Sequence, residues 1–294
     1  VGIPDLSTTI FGKKINLPIF LAPAAMQRLY HHEGDRASAK AAEKFGQLTC
    51  DHILMRDKFG YPGIGQFYDA LVTLDRYTDM LDVTAVHSMD GLDTARALQH
   101  FVGDDSVEYV VRVYSDNHRS LINACRDLRY NHELSTPGIH QTNAIIENKN
   151  RLVENGARVS LVQAGLPSCW WPYAMGCWCF LRNIQRKDGD TSPYYKRNEI
   201  EFRGKAIPFG CGVWYIPSPT RKDSIQSKAD PRQKLGIFMG YRLAPGGKWN
   251  GEYLVIDLEK FVNTNLHYTT PPTAFKGIVP HVTKSVDYYH AGVD

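Results

Sequence analysis

Three acidic residues are spaced as a divalent-metal site would need them. Asp51 falls inside the apolar run Leu48–Met55, and Asp116 follows the β-branched and aromatic run Val107–Tyr114. Glu147 comes 31 positions later, in the first turns of a helix that begins after Pro137-Gly138. Carboxylates suit hard cations such as Mg²⁺ or Mn²⁺, which take oxygen ligands. Two such ions about 3.5–4 Å apart can activate an attacking oxygen and stabilise a leaving one together, as phosphodiester hydrolysis or transfer requires. Asp51, Asp116 and Glu147 are therefore expected to be both catalytic residues and metal ligands. A carboxylate in mid-strand is costly to bury unless it is paired or bound to metal, which favours a functional role for Asp51. Asp57 and Asp75 are rival first ligands, but each sits at a strand end, where a turn Asp needs no special account.

Bringing these acids together requires a particular scaffold. Leu48–Met55, Ala70–Asp75 and Met80–His87 read as strands, and a turn at Arg76–Asp79 makes the last two a hairpin. Leu92–Phe101 reads as a helix, Val107–Tyr114 as a fourth strand, Ser120–Leu128 as a helix, Tyr130–Ser135 as a fifth strand and Thr142–Ala164 as a long helix. The order βββαβαβα is that of the ribonuclease-H-like fold. In the long helix Ile146, Val153, Ala157, Leu161 and Ala164 form an apolar stripe, while Glu147, Arg151, Glu154 and Arg158 form a polar one. Glu147 is thus expected at a cleft edge, although a solvated helical face would show the same pattern.

The chain on either side has a different texture. Residues 1–46 contain a short apolar segment at Pro18–Ala25 and a predicted helix at Arg36–Phe45; continuous apolarity suits a strand of a parallel sheet. Cys169–Ile184 reads as a helix whose Trp170, Trp171, Tyr173, Trp178 and Phe180 are expected to be core. From Tyr194 onward the pattern is β, with strands at Ile207–Tyr215, Leu235–Tyr241 and Tyr253–Leu258 separated by a basic Pro217–Lys234 loop and a turn at Ala244–Gly251. Short strands and long loops suggest a small β-barrel. Little periodicity remains after His267, so an extended, mobile end is expected.

The net charge of +3 is modest, yet Arg182–Lys248 holds 14 Lys/Arg against 6 Asp/Glu. A local excess of that kind beside an acidic site suits a polyanionic partner, and a solvated basic surface would give the same count. The six cysteines contain no C-x-x-C pair, so neither a zinc site nor a disulfide framework is indicated. The longest apolar run, Leu17–Met26, is too short to cross a bilayer, and an intracellular protein without a membrane partner is expected.

Two family resemblances overlie this reading. Asp5-Leu6-Ser7-Thr8-Thr9-Ile10-Phe11-Gly12, Leu17-Pro18-Ile19, Ala22-Pro23-Ala24-Ala25-Met26-Gln27-Arg28-Leu29 and His32-Glu33-Gly34 resemble the FMN-dependent 2-hydroxy-acid oxidases. There the segment is the first strand and helix of a (β/α)₈ barrel, and the resemblance implies that Pro23, Ala24 and Ala25 are vestiges of flavin contact. One βα unit cannot close a barrel of about 250 residues, so FMN is not expected as a cofactor.

Tyr114-Ser115-Asp116-Asn117, Ser135-Thr136-Pro137-Gly138, Gln141-Thr142-Asn143 and Glu147 with Arg151 resemble the integrase core of copia-type retrotransposons and retroviruses. Ala164-Gly165-Leu166-Pro167, Ile207-Pro208-Phe209-Gly210 and Gly236-Ile237-Phe238-Met239-Gly240-Tyr241 resemble the region that follows that core in copia-type Pol polyproteins. Ala144 stands where the motif usually has Gly, and Asn148 where a basic residue is common. The resemblance implies that Asp51, Asp116 and Glu147 form the catalytic triad with Mg²⁺ or Mn²⁺. It further implies that Asn117, Gln141, Asn143 and Arg151 meet DNA, and the basic loop adds Arg221, Lys222, Lys228, Arg232 and Lys234 as expected contacts to the DNA backbone, with self-association a further option.

The expected organisation is mixed α/β: an orphan oxidase-like βα unit over 1–46, a ribonuclease-H-like integrase core over 47–186, a small basic β-barrel over 187–267 and a flexible tail over 268–294. The expected function is Mg²⁺-dependent phosphodiester cleavage and DNA strand transfer, in the nucleus. The alternatives are a catalytically silent DNA-binding relic and a fragment of a flavin-dependent hydroxy-acid oxidase.

Overall fold

The computed structural model describes residues 8–10, 13–15, 46–56, 59–103, 110–135, 144–186, 190–217, 229 and 231–289. The chain divides into two units, Val1–Lys44 and Phe45–Asp294. In the first, β1 (Thr8–Ile10) and β2 (Lys13–Ile15) pair antiparallel, with Thr8 opposite Ile15. The strand and helix expected over 18–25 and 36–45, and with them Pro23, Ala24 and Ala25, lie outside the described residues.

The second unit begins with β3 (Gln47–Leu54), β4 (Asp69–Asp75) and β5 (Leu81–Val86). They are followed by α1 (Gly91–Val102), β6 (Arg112–Ser115), α2 (Arg119–Asp127), β7 (His132–Leu134) and α3 (Ala144–Ala164). The strands form one sheet in the order β5-β4-β3-β6-β7, antiparallel on the β3–β4–β5 side and parallel on the β3–β6–β7 side. This mixed order, with β3 in the middle, is the ribonuclease-H-like arrangement. β4 is buried at every position, as a strand covered on both faces must be. Asp90 caps α1 by accepting from the Asp93 amide at 2.7 Å, and Gly103, at φ 91°, ends it.

Consecutive residues of β3 show which helices cover which face. Asp51 accepts from Asn150 of α3, whereas the His52 ring meets Thr94 of α1. Because neighbours in a strand point to opposite faces, α3 and α1 lie on opposite sides of the sheet. A 3₁₀ turn at Ser168–Trp170 leads into α4 (Trp171–Ile184), which packs along α3. Gly156 permits that approach, since a Cβ there would stand 2.2 Å from the Trp178 ring. Of the expected aromatic core, Trp170, Trp171 and Phe180 are buried, and Tyr173 and Trp178 pack half-buried against it.

Beyond α4 the structure departs from an all-β reading. Pro193–Asn198 forms α5, capped by Ser192, whose hydroxyl accepts from Tyr195 N at 3.1 Å, and closed by Glu199 in the left-handed region at φ 55°. Ser-Pro is a helix-start signal, and here it outweighs the β texture that follows. The second sheet comprises β8 (Gly212–Tyr215), β9 (Lys234–Leu243), β10 (Trp249–Asp257), β11 (His281–Thr283) and β12 (Val286–Tyr288). Its order is β11-β10-β9-β8-β12, antiparallel throughout. β11 and β12 occupy opposite edges although only residues 284 and 285 separate them. Three residue steps span at most about 11 Å, so the sheet must curl until its edges nearly meet, giving a small barrel.

The expectation of an extended end after residue 267 is corrected by these strands. Residues 281–288 supply both sheet edges, and Phe275 is buried against Trp170 at a ring separation of 5.4 Å. Three-residue strands carry too little alternation to be read as β from sequence.

The barrel and the first sheet share one body. Phe180 of α4 packs on Tyr241 of β9 with ring centres 4.3 Å apart, and Phe202 and Trp249 extend the cluster. Arg197 of α5 is 5% exposed and lies 3.5 Å from the fully buried Asp75 of β4. It also donates to the Phe101 carbonyl at 2.6 Å and to the Gly246 carbonyl at 3.1 Å, joining β4, the end of α1 and the β9–β10 turn.

Candidate active site

The parallel pairing of β3 with β6 sets the geometry of the site. Gln47, Leu48 and Thr49 lie opposite Arg112, Val113 and Tyr114, an offset that, carried on by two residues, sets Asp51 level with Asp116. Residues level on adjacent parallel strands point to the same face, so both carboxylates emerge on the side covered by α3. Asp116 lies just past the last residue of β6, at the carboxyl end of the strand, where open α/β sheets hold their ligands.

Asp51 is the most constrained of the three acids. Its Oδ2 accepts from Asn150 Nδ2 at 2.9 Å, and its Oδ1 from the His52 amide at 2.8 Å. Its pKa is nevertheless pushed up to about 6, first by burial, then by the charge of Asp116 and, least, by that of Glu147. The two hydrogen bonds favour the anion but do not overcome these effects. A carboxyl so raised carries a stability penalty that grows as pH rises from its unfolded value through about 6 and is complete above it.

Asp116 is half-buried and accepts from the His118 amide at 3.2 Å. Glu147 is exposed near the start of α3, one turn before Asn150. Among the described residues, no group of three His, Cys, Asp or Glu side chains is gathered closely enough to hold a metal ion. The donor chemistry at Asp51 and Asp116 still fits a hard cation: both offer oxygen, and the charge of Asp116 adds to the cost of charging Asp51. Asn150 Oδ1 beside them is buried and without a hydrogen-bond partner.

The opposite face of β3 carries imidazoles. His52 lies 5.5 Å, ring centre to ring centre, from His118 and is held down to about pKa 4 by burial and then by the His118 charge. His52 Nε2 and Thr94 Oγ1 are 3.1 Å apart, which keeps the ring fixed behind Asp51.

Of the remaining sequence-predicted contacts, Asn117 is exposed beside Asp116, and Arg151 is exposed one turn after Glu147. Arg232 is exposed, while Lys234 lies 3.5 Å from Asp257 and is half-buried. Gln141, Asn143, Arg221, Lys222 and Lys228 lie outside the described residues. Sequence reasoning missed Asn150. Its signal was available: it occupies a polar position inside the stripe Ile146, Val153, Ala157, Leu161, all four of which are buried, and a polar residue on a core face needs a partner.

Comparison with known proteins gives two separate likenesses. A family model for FMN-dependent dehydrogenases matches residues 1–54. Over 44 residues the chain is 50% identical to glycolate oxidase of Spinacia oleracea, a match covering 15% of this chain and 12% of that protein. The oxidase-like segment expected over 1–46 is therefore present, and the family match runs on through β3 past Asp51. Among solved structures, the catalytic core domain of BIV integrase aligns over 53% of this chain and 95% of its own, at 14% identity and a TM-score of 0.40. A simian T-cell lymphotropic virus intasome in complex with PP2A regulatory subunit B56 gamma aligns over 84% and 79%, at 12% identity and a TM-score of 0.42. No helix among the described residues is long and apolar enough to cross a membrane.

Proposed function

We propose that residues 45–289 form a polynucleotidyl transferase of the integrase type, derived from a copia-type Pol polyprotein, that cleaves and joins DNA phosphodiesters with Mg²⁺ or Mn²⁺. The observation that carries this reading is the β3–β6 register, which, carried on by two residues, sets Asp51 level with Asp116, and Asp51 is pushed up in pKa by burial and then by the charge of that neighbour. When bound at these carboxylates, the cation supplies Lewis-acid polarisation of the phosphodiester. Asp51 and Asp116 hold it, and Asn150 fixes the rotamer of Asp51 by donating to it. Glu147 completes the ligand set from α3. Asn117 and Arg151 contact the DNA near the site, and Gln141 and Asn143 contact it as well. Arg232 and Lys234 hold its backbone from the barrel, and Arg221, Lys222 and Lys228 add further phosphate contacts, a mode that is independent of sequence and weakened by salt. A chain with this role acts in the nucleus and associates with further copies of itself.

Metal binding tests the reading without requiring turnover. Mg²⁺ or Mn²⁺ in excess should raise the melting temperature of the wild type, because a ligand that binds only the native state stabilises it. The shift should be lost in Asp116→Asn. An equal shift in that variant would remove Asp116 from the site.

A second reading has its own support. No three acidic or imidazole side chains are gathered for a metal among the described residues, which suits a protein that binds DNA without turning it over. Such a protein shows salt-dependent DNA binding and no nicking at any metal concentration. Flavin oxidation has no comparable support, since residues 46–289 build an open mixed sheet and an antiparallel barrel rather than the rest of a (β/α)₈ barrel.

A further inference from the structure

A pocket of about 360 Å³ opens beside the carboxyl half of α3, with Glu154 of its wall one turn beyond the Asn150 that holds Asp51. Its walls come from the end of β3, the loop that follows, α3 and the start of α4, and they include Arg56, Tyr61, Glu154, Arg158, Leu161 and Trp171. The inner wall is apolar: Leu161 and Trp171 are buried, at 9% and 4% exposure. The mouth combines aromatic and cationic groups. Tyr61 is 42% exposed, Arg56 and Arg158 are both exposed, and outside the lining the exposed Phe59 ring stands 5.9 Å from that of Tyr61. The charge of Asp69 lies near Arg56. Arg158 donates to the Asn155 amide oxygen at 2.7 Å, and Arg56 lies 5.2 Å from the Tyr68 ring centre.

The position of the pocket along α3 indicates an occupant. Glu147, Arg151, Glu154 and Arg158 recur at i, i+4, i+7 and i+11 along one face of this helix, so the carboxylate end and the pocket lie on a common track. Eleven residues of helix rise about 16 Å. That is the length of a few nucleotides of an extended strand. A strand bound at the carboxylates and following the cations of α3 would therefore reach the pocket. Exposed aromatic rings offer every base a stacking face, and flanking guanidiniums suit the phosphates on either side.

We propose that this pocket receives one unstacked base of a single-stranded DNA segment, a few nucleotides from the phosphodiester held at Asp51 and Asp116. The base stacks on Tyr61 at the mouth and enters against Leu161 and Trp171, while Arg56 and Arg158 hold the adjoining phosphates. Glu154 is an acceptor at the same wall, so bases carrying an exocyclic amino group are preferred to thymine. This rests on the DNA-acting role proposed above, and the experiment separates the two.

A duplex with a single-stranded tail, carrying iododeoxycytidine, which keeps the exocyclic amino group, at one tail position at a time, is bound to the full chain without Mg²⁺ and irradiated. Adducts should concentrate at one or two adjacent positions and map to the peptide containing Phe59 and Tyr61. In fluorescence anisotropy, Tyr61→Ala and the double change Arg56→Ala, Arg158→Ala should each weaken binding of the tailed DNA about tenfold and leave blunt duplex binding unchanged. Both variants alter exposed side chains, and circular dichroism checks that they fold. Absence of any salt-dependent DNA binding would sink the DNA-acting role and this inference together. Binding that persists with adducts spread over the tail, or with both variants unaffected, would overturn the base pocket alone. The second outcome is also the one a protein or peptide occupant would give.

Discussion

The two sheets of the second unit differ in strand direction, and the difference accounts for where chemistry can arise. In the first sheet β3, β6 and β7 run parallel, so their carboxyl ends lie along one edge and side chains at equal register converge. Asp51 and Asp116 are neighbours for that reason. In the second sheet every pairing is antiparallel, so strand ends alternate. Its aromatic residues Phe238, Tyr241 and Tyr253 pack inward, and its cations face outward or, like Lys234, lie near a carboxylate. One sheet gathers like charges at a cost in stability, while the other spreads its charges at little cost.

The largest expected effect comes from separating the two sheets. Arg197→Met leaves Asp75 buried without its cation and should lower stability by about 3–5 kcal/mol. Denaturant unfolding of this variant should still show one transition, with both sheets lost together. A separate, unshifted transition of the barrel would mean that the sheets fold independently. Next, Gly156→Ala sets a methyl against the rigid Trp178 ring and should cost about 1–3 kcal/mol. A melting temperature equal to the wild type would show that α3 and α4 are not held as close as described.

A gain is expected at the carboxylates. Asp51→Asn removes a group whose pKa is raised to about 6, and it should stabilise the protein by about 2 kcal/mol at pH 7.5, after allowance for partial solvent exposure. The sign follows from linkage: the native state holds the proton more tightly, so the wild type loses stability as pH rises through that range. The gain should therefore shrink towards zero at pH 4, and a gain independent of pH would contradict electrostatic strain as its cause. The smallest effect belongs to the barrel surface. Lys205→Ala removes an exposed pairing with Asp287 and should change stability by less than about 1 kcal/mol.

Much of the first sheet was legible in the sequence because its strands are long or continuously apolar. β3, β4 and β5 each run for six to eight residues, and their order with α1, α2 and α3 identifies the mixed sheet. Asp51 stood out because an acid inside such a run is costly. The rest was hidden by shortness or by context. β11 and β12 have three residues each, too few to show alternation, and α5 is a six-residue helix whose Ser192-Pro193 start lay within a β-like stretch. Asn150 escaped notice because its role depends on Asp51, which is 99 positions away in sequence. The pocket beside α3 was equally hidden, since Arg56, Glu154 and Trp171 meet only in three dimensions.

The central claim is that Asp51, Asp116 and Glu147 act on DNA phosphodiesters with a divalent cation. Its most direct test is cleavage and joining of end-labelled DNA by the full chain with Mg²⁺ or Mn²⁺, measured with DNA binding on the same samples for the wild type, Asp51→Asn, Asp116→Asn and Glu147→Gln. The account predicts metal-dependent products from the wild type, at least about a hundredfold fewer from each variant, since losing even an outer-shell partner of a metal costs about 10–100-fold, and retained DNA binding throughout. Products that persist in Asp116→Asn, or DNA binding by the wild type with no product in either metal, would contradict it.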